Sequence, residues 1–241
     1  GSLMQQIARI EKPVAFRPPV RRRSKAPSPS KTPAEISRLQ FFNGLGGFSP
    51  DGNEYVTHLG TGQWTPAPWI NVIANSECGF QVSESGSGYT WAGNSRENQI
   101  TPWSNDPVSD LSGEIFYVRD EETRETWTPT LLPIREEASP YVSRHGQGYS
   151  LFEHVSHGIA LELLQFVPVK DPVKISRLRL TNQSDRKRKL SVTAYVEWVL
   201  GSSRAANAPF IITELDAETG AIFSRNPWNV EFAQAVAFAD L

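Results

Sequence analysis

The run of residues 190–200 constrains the fold most. Leu190, Val192, Ala194, Val196, Trp198 and Leu200 fall on one side of an extended chain, and Ser191, Thr193, Tyr195 and Glu197 fall on the other. Such alternation needs a sheet with one face against a core. The pattern recurs. Strands are expected at residues 41–48 and 54–58, joined by the turn Ser49-Pro50-Asp51-Gly52-Asn53, and at 69–74, 80–84, 115–119, 141–144 and 149–157. Residues 159–167 are apolar on both alternating faces, so that strand is expected to be covered on both sides. Val173, Ile175, Leu178 and Leu180 change phase after Ser176, which predicts a bulge. Residues 182–185 and 216–220 read as turns, and 230–239 as a last strand. About a dozen strands without a sustained helical period imply an all-β fold, antiparallel, in two stacked sheets.

Charge divides the chain. Residues 1–40 hold nine Lys or Arg against two Glu, a net of +7, while residues 41–241 hold fifteen basic and twenty-four acidic residues, a net of −9. Six prolines up to Pro33 block regular structure in the basic part, so residues 1–40 read as a linker and 41–241 as the folded domain. Nothing overall suggests a nucleic-acid partner. No apolar run approaches the roughly 18 residues of a membrane helix, so no membrane contact by this chain is expected. The single cysteine, Cys78, excludes an intrachain disulfide and fits a reducing, cytoplasmic compartment.

The richest chemistry lies between Trp91 and Asp106. Arg96, Glu97, Asn98, Asn105 and Asp106 put planar donors and acceptors between Trp91 and Trp103. A sugar offers vicinal hydroxyls that match such groups and a C–H face that matches an aromatic ring. The segment is therefore a candidate carbohydrate-recognition loop. A long loop pinned by its own Asn, Asp and Ser side chains is the plainer alternative. Arg144 and His145, beside Gly146 and Tyr149, are further candidates for a sugar groove or for an ordinary hairpin tip.

Other motifs carry less. His154 and His157 are three apart in a strand and face opposite sides, so they do not converge on a metal, and no cofactor is expected. Gly44-Leu45-Gly46-Gly47 lacks the third glycine and the helix of a dinucleotide site. Glu84, Glu97, Asp106 and Asp110 cluster near the tryptophans, but spacing alone assigns no catalytic carboxyl pair.

Phe42-Asn43-Gly44-Leu45-Gly46-Gly47-Phe48, Pro68-Trp69-Ile70-Asn71-Val72-Ile73-Ala74-Asn75, Gly79-Phe80-Gln81-Val82-Ser83-Glu84, the segment from Gly88 to Asp110, Arg119-Asp120-Glu121-Glu122-Thr123 and Arg144-His145-Gly146 together resemble the amino-terminal sandwich of the cellobiose phosphorylase-like family, glycoside hydrolase family 94 (formerly glycosyltransferase family 36). Within it they resemble the phosphorylase-like region of cyclic β-1,2-glucan synthases. The resemblance covers residues 41–241. It implies a galactose mutarotase-like supersandwich, a parent enzyme in the cytoplasm or at the cytoplasmic face of the inner membrane, and an (α/α)6 barrel partner domain that carries the catalytic acid. It also implies a possible homodimer and a β-glucan oligosaccharide as ligand. No catalytic residue carries over to this chain, so on its own it is expected to be inactive. Two alternatives stand beside that: a purely structural or dimerisation module, and an aldose mutarotase-like enzyme. The second needs His145 or His154 to meet a carboxylate in an open groove.

Overall fold

The structure, a computed structural model, describes residues 36–103, 106 and 108–241. Most of the expected linker, and Asn105, lie outside them. The first strands are β1 (Gly46–Phe48), β2 (Glu54–Leu59), β3 (Ile70–Ala74), β4 (Cys78–Ser83) and β5 (Gly88–Ala92). Then come β6 (Glu114–Asp120), β7 (Thr126–Trp127), β8 (Tyr141–Gly146), β9 (Tyr149–Ser156) and β10 (Ile159–Phe166). The last are β11 (Ile175–Asn182), β12 (Leu190–Val196), β13 (Ile212–Leu215), β14 (Ile222–Arg225) and β15 (Ala237–Ala239). A four-residue helix, α1 (Arg204–Asn207), follows β12. Among the described residues no helix is long and apolar enough to cross a membrane.

One layer is a six-stranded antiparallel sheet in the order β1-β2-β8-β9-β10-β11. Its inner face lines up in cross-strand rows such as Thr57–Ser143–Phe152–Leu163–Leu178. The hairpin between β9 and β10 turns through His157 and Gly158, both at positive φ, as a tight two-residue turn requires. The facing layer holds two three-stranded sheets, β3-β4-β5 and β12-β6-β7. Ile73, Phe80, Val82, Phe152 and Leu163 fill the core under the first. Val118, Trp127, Ile159 and Leu161 fill it under the second.

Residues 98–101 stitch those two small sheets together. Ile100 N–H donates to Thr90 O on one side, and Gln99 exchanges both backbone bonds with Gly201 on the other, each at 3.1 Å. The chain that leaves β12 thus continues the layer. The remaining sheet, β13-β14-β15, stands apart at the C-terminal end.

Four expectations need correction. The first strand, expected at 41–48, is confined to Gly46–Phe48. There is no bulge at Ser176: β10 and β11 pair without interruption over all eight positions. The apparent phase change arises because Ser176 faces inward and accepts from Gln165 Nε2 at 3.2 Å, so a polar pair closes the apolar row. Residues 230–236 are not strand, and only Ala237–Ala239 pairs. Asn229 Oδ1 accepts from the N–H of Glu231 and Phe232, which holds a turn where the residue types suggested extension. Finally, β10 is buried on one face only, with Ala160, Glu162, Leu164 and Phe166 half-covered on the other.

Candidate functional site

Alternation along β4 sends Phe80 and Val82 into the core and turns Gly79 and Gln81 outward. On β5, Thr90 points inward, and Tyr89 and Trp91 lie opposite Gln81 and Gly79. Gly79 is required: a Cβ there would sit 2.5 Å from the Trp91 ring. Trp91 lies 5.3 Å from Tyr89, and Tyr89 lies 5.6 Å from Trp103 at an interplanar angle of 26°. The three rings form a row. Tyr89 is buried in its middle, and Trp103, 47% exposed, ends it toward solvent.

A buried polar cage holds that row from behind. Glu114 accepts from Thr90 Oγ1 and Thr101 Oγ1, each at 2.6 Å, and from Lys174 Nζ at 2.5 Å. Thr101 Oγ1 also accepts from Thr90 N at 2.8 Å. After Thr101 the chain crosses Gly113, where a Cβ would meet the Pro102 ring at 2.5 Å. Asp106 Oδ1 then accepts from the N–H of Val108 and Ser109, and these bonds keep its carboxyl below the usual range. Asp110 returns to β4, accepting from Ser83 Oγ at 2.7 Å and from Ser85 Oγ.

Between this loop and the Ala67–Ile70 ridge lies a cleft of about 260 Å³. Trp103, Asp106, Asp110 and Leu111 form one wall, Pro68 and Ile70 the other, and Gln81 lies on the floor. Among the described residues the Gln81 amide has no hydrogen-bond partner. Sequence reasoning missed it. The signal was a polar residue at an outward position of Phe80-Gln81-Val82.

A second, more open cleft of about 610 Å³ lies across the ridge, lined by Asn43, Tyr55, Pro68, Trp69, Ile70 and His145. Trp69 meets Tyr55 edge-on at 5.7 Å. His145 Nε2 lies 3.2 Å from Trp69 O, and Nδ1 lies 2.9 Å from Ser150 Oγ. A carbonyl only accepts, so Nε2 carries the proton and Nδ1 accepts from the serine. Burial pushes His145 down to about 4, so the ring is neutral at pH 7. Glu84 pins the ridge from beneath: it accepts from Trp69 N at 2.7 Å and from Thr65 Oγ1, while burial raises its pKa despite those bonds.

The candidate residues separate in space. Trp103 and Asp106 share one cleft, and His145 lines the other across Pro68 and Ile70. Trp91 backs the row through Tyr89. Asn98 is buried and donates to Ala92 O at 2.9 Å. Arg96 and Glu97 pair at 3.3 Å on an exposed turn that Asn94 Oδ1 organises. Arg144, next to His145, faces the opposite side of its sheet. There it bonds Glu153 at 2.7 Å and Glu54 at 3.4 Å. His154 is sealed inside, stacked on Tyr141 at 3.8 Å. Among the described residues the lining of the His145 cleft holds no carboxylate to pair with His145.

A six-stranded antiparallel sheet faced by two stitched three-stranded sheets defines an all-β sandwich. The chain belongs to the glycosyl hydrolase 94 supersandwich family, whose model matches residues 53–241. It is 40% identical over 200 residues to the cyclic beta-(1,2)-glucan synthase NdvB of Rhizobium meliloti (strain 1021), covering 83% of this chain and 7% of that one. It is 36% identical over 159 residues to solabiose phosphorylase of Paenibacillus borealis, covering 65% and 20%. It is 30% identical over 155 residues to N,N'-diacetylchitobiose phosphorylase of Vibrio furnissii, covering 64% and 19%. The chain thus spans a fifth or less of these relatives.

Proposed function

We propose that this chain is a non-catalytic, carbohydrate-binding β-sandwich of a larger glucan-transferring or phosphorolysing protein, and that its Trp103 cleft takes a β-glucan. The observation that carries the reading is the half-exposed Trp103, stacked on Tyr89 in the same cleft as the Gln81 amide, which has no hydrogen-bond partner among the described residues. That pairing gives a sugar an apolar platform and a planar hydrogen-bonding group. The similarity to a cyclic β-1,2-glucan synthase supports β-1,2-linked glucan as the ligand.

Asp106 and Glu84 support a non-catalytic role. A general acid needs a raised pKa at the reacting bond. Asp106, which lines the cleft, is held low by backbone donors. Glu84, which burial raises, sits behind the ridge against Thr65 and Trp69. A second role for the same face has its own support: Ile70 and Val72 stand 52% and 57% exposed on the outer side of β3 beside the cleft. Such a face suits docking on the (α/α)6 barrel of the parent.

Stacking on one ring and a few hydrogen bonds of about 0.5–1.5 kcal/mol each, against the cost of association, give a dissociation constant on the order of millimolar. Titrating a β-1,2-gluco-oligosaccharide while following tryptophan indole N–H signals tests the reading. The Trp103 signal shifts, Trp103→Ala abolishes binding with the fold intact, and Trp228→Ala, at another exposed tryptophan, does not. Equal binding by the Trp103→Ala variant removes the cleft from consideration.

A further inference from the structure

We propose that the Tyr55–Trp69 cleft is a second sugar subsite, continuous with the Trp103 cleft over the Pro68–Ile70 ridge. Together the two select an uncharged β-linked oligosaccharide over single glucose and over sugar phosphates. The inference rests on the reading of the Trp103 cleft given above. Both clefts share Pro68 and Ile70 as lining, so one ligand lying over the ridge touches both. Trp69 precedes β3, and Trp103 stacks on Tyr89 of β5; those two strands lie two strand spacings, about 10 Å, apart. A single pyranose ring does not span that distance.

The second cleft is held rigid before any ligand arrives. Tyr55 is braced edge-on by Phe48 at 5.2 Å and by Trp69 at 5.7 Å. The Trp69 backbone is fixed at both ends, its N–H on Glu84 and its carbonyl on His145. Asn43 Nδ2 donates to Tyr55 Oη at 3.2 Å, which leaves the phenol proton to donate outward. Little ordering cost remains for a ligand to overcome.

Charge selects the ligand class. Among the described residues neither lining contains Lys or Arg. A phosphate calls for a cationic fork or a ring of N–H donors. Instead the ligand meets Asp106 and Asp110 on one side and a neutral imidazole, with both nitrogens engaged, on the other.

The test uses the full chain with labelled tryptophan and four ligands: glucose, a β-1,2-linked disaccharide, the corresponding pentasaccharide, and glucose 1-phosphate. The pentasaccharide is expected to shift both the Trp69 and Trp103 indole signals and to bind several-fold more tightly than the disaccharide. Trp69→Ala removes that gain and leaves the disaccharide shift at Trp103. Glucose 1-phosphate moves neither ring. A pentasaccharide that shifts Trp103 alone overturns the second subsite while the first stands. No shift at either ring overturns both. A shift with glucose 1-phosphate overturns the charge argument. The wild-type shifts decide the matter even where Trp69→Ala fails to fold.

Discussion

Lys174→Met probes the cage that holds the aromatic row. Lys174 and Glu114 side chains are 13% and 18% exposed, and the ammonium also lies 4.3 Å from the Phe80 ring centroid. Methionine keeps the stem and removes the charge. Glu114 is then a largely buried carboxylate with two hydroxyl donors and no cation. Breaking a fully buried pair from one side costs about 3–5 kcal/mol, and the residual exposure here lowers that to about 3 kcal/mol. For a domain of this size the loss corresponds to roughly 6–12 °C in Tm. The sign with pH follows from Glu114. Burial pushes its pKa up, but Lys174 and the two threonines pull it down further, so the net shift is downward. In the wild type that stabilisation is present above the unfolded value, near 4.3, and fades as pH falls through the folded one. In the variant, burial acts against the two threonine bonds alone, and its penalty vanishes once the carboxyl is protonated. Urea melts followed by tryptophan fluorescence should therefore show the gap widest at pH 7 and closing toward pH 4. A gap under about 0.5 kcal/mol at pH 7, the scale of an exposed pair, or one that does not change with pH, would refute the reasoning.

Gly79→Ala should displace Trp91 from Tyr89 and destabilise the domain by about 1–3 kcal/mol, the usual cost of overpacking; near-ultraviolet dichroism reads the ring displacement. Phe152→Ala opens the core between the layers and should cost about 3–5 kcal/mol in denaturant melts. The isolated chain, incubated with a β-1,2-gluco-oligosaccharide and phosphate, should release no glucose 1-phosphate above a heat-killed control.

Much of the layer structure was legible because burial on one face imposes period two on the residue types. β9 and β10 alternate between buried and half-covered positions residue by residue. What escaped depends on contacts distant in sequence. β5 reads as part of a polar loop because Tyr89 and Trp91 form the outer row rather than the core. Residues 98–101 look like a ligand loop, yet the Asn98 amide is spent on Ala92 O and the Gln99 backbone on stitching two sheets. Only the fold reveals that. Arg144 and His145 were grouped as neighbours, although strand alternation itself sends them to opposite faces. Gln81, and the bracing role of Glu84 against Trp69, became visible only once the Thr65–Ile70 ridge was placed.

The most direct test of the glucan-binding cleft is a crystal of the chain soaked with a β-1,2-gluco-oligosaccharide. The account predicts a sugar ring with its C–H face on Trp103, hydroxyls on the Gln81 amide and the Asp106 carboxylate, and further units running over Pro68 toward Trp69. Well-ordered sugar on another surface, or an empty Trp103 cleft at a ligand concentration tenfold above millimolar, would contradict it.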